Sequence, residues 1–319
     1  MPSKLFLLAD VLRFILNHPL NRRNKPRALG RFMRWQVGSR LAPGPVIIPF
    51  VEQTRLIARP GLMGATGIYY TGLYEFEEMA FVLHALRAQD RFIDIGAHIG
   101  AFSVLAAGAV GATCLAIEPV PASFASLQEN LNLNGLSGKV QALNLGIAAE
   151  AGRLRFTTGK GAANGVVPVG AQGLRPCVEV EVQPLDALTG KFAPHMIKID
   201  VEGYEHAVIA GAEKTLADER LFAILIELRG HGARYGFDES AIHQRLLSFG
   251  FQPYAYTPPI KSRAEGKGER GETHPEERVV TLLEGINRAT GTTIYIRNLA
   301  LVQQRLATAP NFFVHGQYV

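Results

Sequence analysis

From residue 91 onward, short apolar runs alternate with amphipathic stretches. RFIDIG, TCLAIEP, KVQALNLGI, HMIKIDVEG and FAILIEL read as near-continuous apolar strands. Between and after them, AFSVLAAGAV, PASFASLQENLNLNG, YEHAVIAGAEKTLAD and ESAIHQRLLSFG carry helical spacing, and FQPYAYT and TTIYIRN add two further strands. Strands that are apolar on both faces and alternate with helices predict an α/β fold, with a parallel sheet covered on both sides. Two segments break the rhythm. Residues 148–188 read as antiparallel strands, RLRFTTG and VEVEVQPLDAL, around a Gly-rich loop. Residues 261–278 are charged and Gly-bearing with no core residues, and read as a mobile loop.

Upstream of this domain the pattern differs. Leu5, Leu8, Leu12, Ile15 and Leu16 share one helical face, and Pro19 stops that helix. A basic helical stretch, RALGRFMRWQVGSRL, follows, and then PVIIPFVEQTRLIARP reads as a strand or hairpin. From Tyr74 the periodicity is helical, with Phe76, Met79, Ala80, Leu83 and Leu86 as the buried stripe. Residues 1–64 are therefore expected to form a basic helical extension with a strand or hairpin, and residues 65–319 the α/β domain. The first helices have two readings, docking on the domain or lying in a membrane interface. Docking is favoured, because tertiary packing accounts for most short amphipathic helices.

Composition narrows the class. Of 319 residues, 47% are hydrophobic, enough for a sizeable core. Two cysteines, Cys114 and Cys177, make neither a disulfide framework nor a four-thiol metal site. No apolar run reaches the roughly 18 residues needed to cross a bilayer. The net charge of +5 is uneven: residues 1–45 hold nine Lys/Arg and one acid, so the rest of the chain is slightly acidic. Such an arm suits nucleic acid, anionic lipid or an acidic partner. The first apolar stretch lacks a small-residue cleavage site, so cytoplasmic residence is expected, with peripheral membrane contact through the arm left open.

The densest chemistry lies in Phe92-Ile-Asp-Ile-Gly-Ala-His-Ile-Gly100, a strand, a Gly-rich turn and a helix start, with Glu118 ending the next strand. Ligands of open α/β sheets sit beyond the carboxyl ends of the strands, where an acid can accept both hydroxyls of a ribose. A dinucleotide site wants Gly at the central position of the turn so that the backbone can touch a pyrophosphate, but His98 stands there. A ligand with ribose and adenine but no phosphate tolerates a side chain, and S-adenosylmethionine is such a ligand. Asp94 suits its ammonium group, and Gly96 lets its methionine portion pass the main chain. The bland alternative for Gly96 and Gly100 is a tight turn with no ligand.

FIDIGAHIGAFSVLAA, AIEPVPASFASLQENLNLN and IKIDVEGYEHAVIAGAEKTL together resemble the FkbM family of S-adenosylmethionine-dependent methyltransferases. GLYEFEEMAFVLHAL and TTIYIRNLALVQQRLATAP resemble that family's edges, so the likeness runs from about residue 65 to the end of the chain. It implies a class I methyltransferase, Rossmann-like fold with a seven-stranded, mostly parallel sheet, and O-methylation as the reaction. By that match Asp94, Gly96, Gly100 and Glu118 hold the cofactor, and Ala97, His98 and Pro119 join them from the same two turns. His98 departs from the family, which commonly has Asn there. The basic arm and residues 261–278 lie outside the family core.

Methyl transfer to a hydroxyl needs alignment and a proton acceptor near the carboxyl ends of the middle strands. Asp200 comes first as base or substrate anchor, then Glu227, with Glu202 and His231 behind them. Lys198 shares a strand face with Asp200 by the two-residue alternation. Glu202 has an alternative use at a helix start, and His231 as a solvated loop residue. These four side chains also suit a divalent cation, but spacing does not establish one, and no metal is assigned. Glu75 and Tyr74 are placed near the cofactor, Asn144 on its adenine side, and Asn164 toward the acceptor. Tyr69 and Tyr70 are expected simply to pack. The acceptor is expected to be a small molecule, or sugar-containing, lipid-linked or a secondary metabolite. Nucleic acid is disfavoured by the acidic body. The competing functions are a non-catalytic scaffold on the same fold and a nicotinamide oxidoreductase.

Overall fold

A computed structural model describes residues 4–61, 63–159, 161–168, 170, 176–190, 192–260 and 278–319. The central sheet has eight strands: β1 Arg91–Ile95, β2 Thr113–Ile117, β3 Val140–Leu143, β4 Met196–Ile199, β5 Ala223–Glu227, β6 Gln252–Thr257, β7 Val279–Leu282 and β8 Thr292–Ile296. Their spatial order is β7-β6-β8-β5-β4-β1-β2-β3. Strands β1 to β5 pair in parallel. Strand β8 runs antiparallel to both β5 and β6. The α/β class and the mostly parallel sheet are as expected, but the strand count is eight rather than seven. The added strand, β7, forms the edge of the sheet and pairs antiparallel with β6. It is short and largely exposed, so it carries no apolar run that would announce it.

Successive residues of the inner strands point to two different cores. Phe92, Cys114, Ala116 and Met196 enter one apolar cluster, while Ile93, Leu115, Ile117, Ile197 and Ile199 enter the other. That alternation is why these strands need apolar residues on both faces. The sheet order reverses at β1, which sends the chain to β2 and β3 on one side and to β4 and β5 on the other. A crevice opens at that switch point, beyond the carboxyl ends of β1 and β4. A smaller mixed sheet roofs it, in which Cys177–Gln183 pairs antiparallel with Gly152–Thr157 and parallel with Gly146–Ile147.

The N-terminal residues form helices Lys4–Asn17, Pro19–Arg22 and Lys25–Leu41, then a hairpin of Val46–Pro49 and Arg55–Ala58. Pro19 sits in the first turn of the second helix, where a missing N–H costs nothing. Ile15, Leu20, Ala28, Phe32, Trp35 and Ile48 belong to the same apolar cluster as Phe81, Phe92 and Leu105, so the arm is docked on the domain. The helix Met63–Thr71 was not legible, since its two glycines and two threonines blur any periodicity. The far end of the chain fastens the arm. Glu52 N donates to Phe313 O at 3.0 Å, and Gln317 Nε2 donates to Leu20 O at 2.6 Å.

Of the segment read as a mobile loop, residues 261–277 lie outside the described residues. Arg278 corrects the reading at its end. It is buried, and it donates to Ala309 O at 2.7 Å and Asn311 Oδ1 at 2.8 Å, because a guanidinium's several N–H groups can satisfy a cluster of chain-end carbonyls. Among the described residues no helix is long and apolar enough to cross a membrane.

Candidate active site

The crevice is open to solvent and, with its mouth included, spans about 1140 Å³. Its floor is the turn after β1. The parallel register sets Asp94 beside Lys198, and Gly96 N and Ala97 N both donate to Ile117 O, at 2.9 and 3.0 Å. Gly96 has φ +78°, and a Cβ there would lie 1.9 Å from Asp200 O. The glycine therefore lets the β1 turn touch the backbone leaving β4. Gly100, at φ +79°, instead makes room for Leu127 and does not line the crevice.

Glu118, directly after β2, is buried at the crevice wall. Its Oε2 accepts from His98 N at 2.8 Å and its Oε1 from Val120 N at 2.9 Å. Burial lifts its carboxyl to about 7, and the two N–H donors restrain the rise. His98 adopts φ +50° to deliver that N–H, and its ring lies 3.4 Å from the position a Cβ on Gly64 would take. Burial lowers the ring's pKa, so the imidazole is neutral. Asn144 stands outside the crevice lining. Its amide donates to Glu118 O at 2.8 Å and Pro119 O at 3.0 Å, fixing the peptide that carries the acid.

Asp94 is 1% exposed. Its Oδ2 accepts from Ser103 Oγ at 2.6 Å, while Oδ1 is buried with no hydrogen-bond partner. Burial raises its pKa against the pull of Lys198. Lys198 donates to Asp200 Oδ2 at 2.8 Å and lies 4.7 Å from the Phe102 ring centroid. Burial works against its charge, but Asp200, Glu75 and Asp94 outweigh it and hold the ammonium ionised. Burial likewise raises Asp200, yet Lys198 turns the net shift downward. Glu227, ending β5, moves the other way, to about 9, through burial and the Asp200 charge. The two carboxyls thus share a proton at neutral pH: Glu227 keeps it and Asp200 stays ionised. Arg229 Nε closes the row, 2.9 Å from Glu227 Oε1.

Glu202 lines the crevice one step further out, at φ +56°, with Oε2 at 3.1 Å from His231 Nδ1. Burial and Asp200 raise Glu202. Oxygens of Asp200, Glu202 and Glu227 lie within 4.8 Å of one another, a spacing that could hold a cation. Each of the three already has a partner in the chain, however: Lys198 for Asp200, Arg229 for the protonated Glu227 and His231 for Glu202.

Of the sequence candidates, Glu75, Asp94, Gly96, Ala97, His98, Glu118, Pro119, Asp200 and Glu202 come together around one crevice. Glu227 and His231 stand behind Asp200 and Glu202, and Gly100 and Asn144 support the two turns. Tyr74 and Asn164 also line the crevice. Burial raises both Glu75 and Tyr74. Tyr70 is buried with its hydroxyl taking a hydrogen bond from Gln36 at 3.1 Å, and Tyr69 packs on Trp35, so both tyrosines serve packing. Sequence reading missed Ile68, Phe156, Val166 and Tyr204, which complete the wall. They come from the unforeseen helix, the insert and the turn after β4, and no local pattern distinguishes them. Lys198 had a usable signal, a lone cation inside the apolar run MIKI.

Residues 94–253, half of the chain, match the methyltransferase FkbM domain. The hexuronic acid methyltransferase AglP of Haloferax volcanii is 28% identical over 142 residues, which cover 44% of this chain and 58% of that protein. This chain therefore matches less than two thirds of that curated relative's length. A solved methyltransferase FkbM from Methylobacillus flagellatus aligns at 16% identity with a TM-score of 0.43, covering 72% of this chain and 52% of that one. The TYW2 protein of M. jannaschii, solved with AdoMet, aligns at 13% identity and a TM-score of 0.38, over 80% and 88% of the two chains. With the family match spanning the turn after β1, Glu118 and the β4 end, the chain belongs to the FkbM methyltransferase family.

Proposed function

We propose that this chain transfers the methyl group of S-adenosylmethionine to a hydroxyl oxygen of a sugar-containing acceptor. The observation that carries the reading is one crevice holding a buried ribose-type acid, Glu118, and an ionised Asp200 at opposite ends of a glycine bend. The residues present fit such a cofactor. Asp94 Oδ1 is a buried acceptor lacking a partner, which suits an ammonium group. Ile95, Ile117 and Ile147 give apolar wall for an adenine. The cofactor brings an already activated methyl group. The chain aligns the acceptor, keeps water away and accepts the hydroxyl proton. Asp200 lines the crevice and Lys198 holds its carboxyl below the ordinary range, so we assign it that proton, with the proton on Glu227 and the charge of Lys198 holding the carboxylate in place. The sugar class is supported by the curated relative's hexuronic acid acceptor. A nicotinamide ligand is disfavoured by His98, which stands where a dinucleotide turn wants glycine and whose N–H is given to Glu118.

Isothermal titration with S-adenosylhomocysteine tests the pocket directly. In Glu118→Gln one amide orientation or the other turns NH₂ toward a backbone N–H, because both native oxygens accept from backbone. Affinity is expected to fall about 10- to 100-fold, the worth of a hydrogen bond to a charged group. Unchanged affinity would remove Glu118 from the site.

The same carboxyl sets a pH dependence. Its folded pKa, about 7, lies above the ordinary 4.5. Its contribution to the unliganded fold is therefore complete below about 4.5 and lost as pH climbs through about 7. A diol takes the ionised form, so S-adenosylhomocysteine affinity should rise between about pH 6 and pH 8 and level off above. Titrations across that range check it, and a flat profile contradicts it.

A further inference from the structure

The helix Lys25–Leu41 is apolar on two opposite sides. Ala28, Phe32 and Trp35 are buried against the domain, where Phe32 meets Tyr70 and Trp35 meets Tyr69 at ring-centroid distances of 5.5 and 5.4 Å. On the far side Leu29, Met33, Val37 and Leu41 recur every four residues and are 38%, 56%, 49% and 80% exposed. The hairpin that follows adds Val46 and Ile47, 44% and 56% exposed. A docked helix needs only one apolar stripe, so the outer one is unexplained by packing. Its charge surroundings are one-sided. Between Asp10 and Glu52 the chain has no acid and eight Lys/Arg. On the helix Lys25, Arg27, Arg34 and Arg40 are exposed and flank the outer stripe, while Arg31 turns inward to Tyr70 O, 2.9 Å from NH2.

We propose that this outer face is a docking surface for an anionic phospholipid bilayer, with the apolar stripe in the headgroup–acyl boundary and the arginines on lipid phosphates. Apolar area combined with a rim of cations is what interfacial helices use, and neither part alone gives stable binding. A nucleic acid would use the cations and leave the stripe wet. A second copy of the chain would bring an equally basic face against this one. The surface lies one helix layer from the crevice, because the helix Met63–Thr71 packs beneath it and carries Gly64 and Ile68 of the crevice wall. The inference goes beyond the methyl-transfer reading and does not depend on it.

The test is co-sedimentation of the full chain with vesicles of phosphatidylglycerol and phosphatidylcholine, of phosphatidylcholine alone, and with neither. Binding is expected only to the anionic vesicles, and to weaken severalfold at about 0.5 M salt as the charges are screened. Met33→Glu with Val37→Glu should reduce it at least about tenfold, and Arg34→Gln with Arg40→Gln about fivefold or more. These side chains are exposed, and unchanged thermal melting of both variants checks that the fold is retained. A wild type that stays in the supernatant with anionic vesicles overturns the proposal. So do binding that survives Met33→Glu with Val37→Glu, equal binding to phosphatidylcholine alone, and a wild-type dimer that the same double variant dissociates.

Discussion

Replacing Asp200 by Asn is expected to lower turnover by about 10²–10⁴-fold while S-adenosylhomocysteine affinity stays within about threefold. Asp200 is nearly isosteric with Asn, so the change removes charge and basicity with little change in shape. Its Oδ2 is already engaged by Lys198 at 2.8 Å, and the second partner is the Glu227 carboxyl. Asn in that place meets the ammonium with a neutral oxygen and turns its NH₂ toward Glu227. With the negative charge gone, Glu227 loses the neighbour that keeps it protonated and should titrate well below about 9. A single-turnover assay with labelled cofactor separates binding from chemistry. If His231→Ala, and not Asp200→Asn, abolishes transfer, the proton acceptor is the imidazole held by Glu202.

The largest stability loss should come from Gly96→Ala. The position needs φ +78°, which costs an L-residue about 1–2 kcal/mol, and the new methyl would sit 1.9 Å from Asp200 O. Backbone at a strand junction cannot rotate away, so the strand ends must part, at about 1–3 kcal/mol more. A melting temperature lower by about 3–7 °C is expected. Gly100→Ala is the internal comparison. It shares the positive φ, but its clash is with Leu127 Cδ1, the end of a side chain that has other rotamers. Thermal scans of the two variants should rank Gly96→Ala clearly below Gly100→Ala. Equal losses would mean that the contact with Asp200 O is not what demands glycine.

These two positions show how far the sequence could be read. Gly96 and Glu118 were legible because a glycine and an acid at the ends of apolar strands have few structural uses, and strand ends can be located from hydrophobic runs. The strands β1 to β5 were legible for the same reason. Asp200 was legible as a residue but not in its protonation state. That state depends on β4 lying between β1 and β5, which sets Lys198 beside Asp94 and brings Glu227 to Asp200. Single-chain periodicity carries no register between strands. The helix Met63–Thr71 and strand β7 were illegible, the first through its Gly and Thr content and the second through its exposure. For the arm the sequence offers docking and a membrane-facing placement, with docking favoured. Its helix has a stripe for each, separated by half a turn, and only the burial of Phe32 and Trp35 shows which side is taken.

The tie between Gln317 and Leu20 bears on how this molecule assembles. The partners are 297 positions apart, and Glu52 and Phe313 meet across a similar span. Joining such distant points costs little more free energy than joining points half as far apart, roughly 0.6 kcal/mol per doubling, but the search is slow. The central sheet closes shorter loops, the most distant of its pairings joining Phe92 to Met196, 104 positions apart. Maturation should therefore proceed from the interior toward the two ends, leaving the arginine-rich segment the last to find its seat and the first to come loose under mild denaturant.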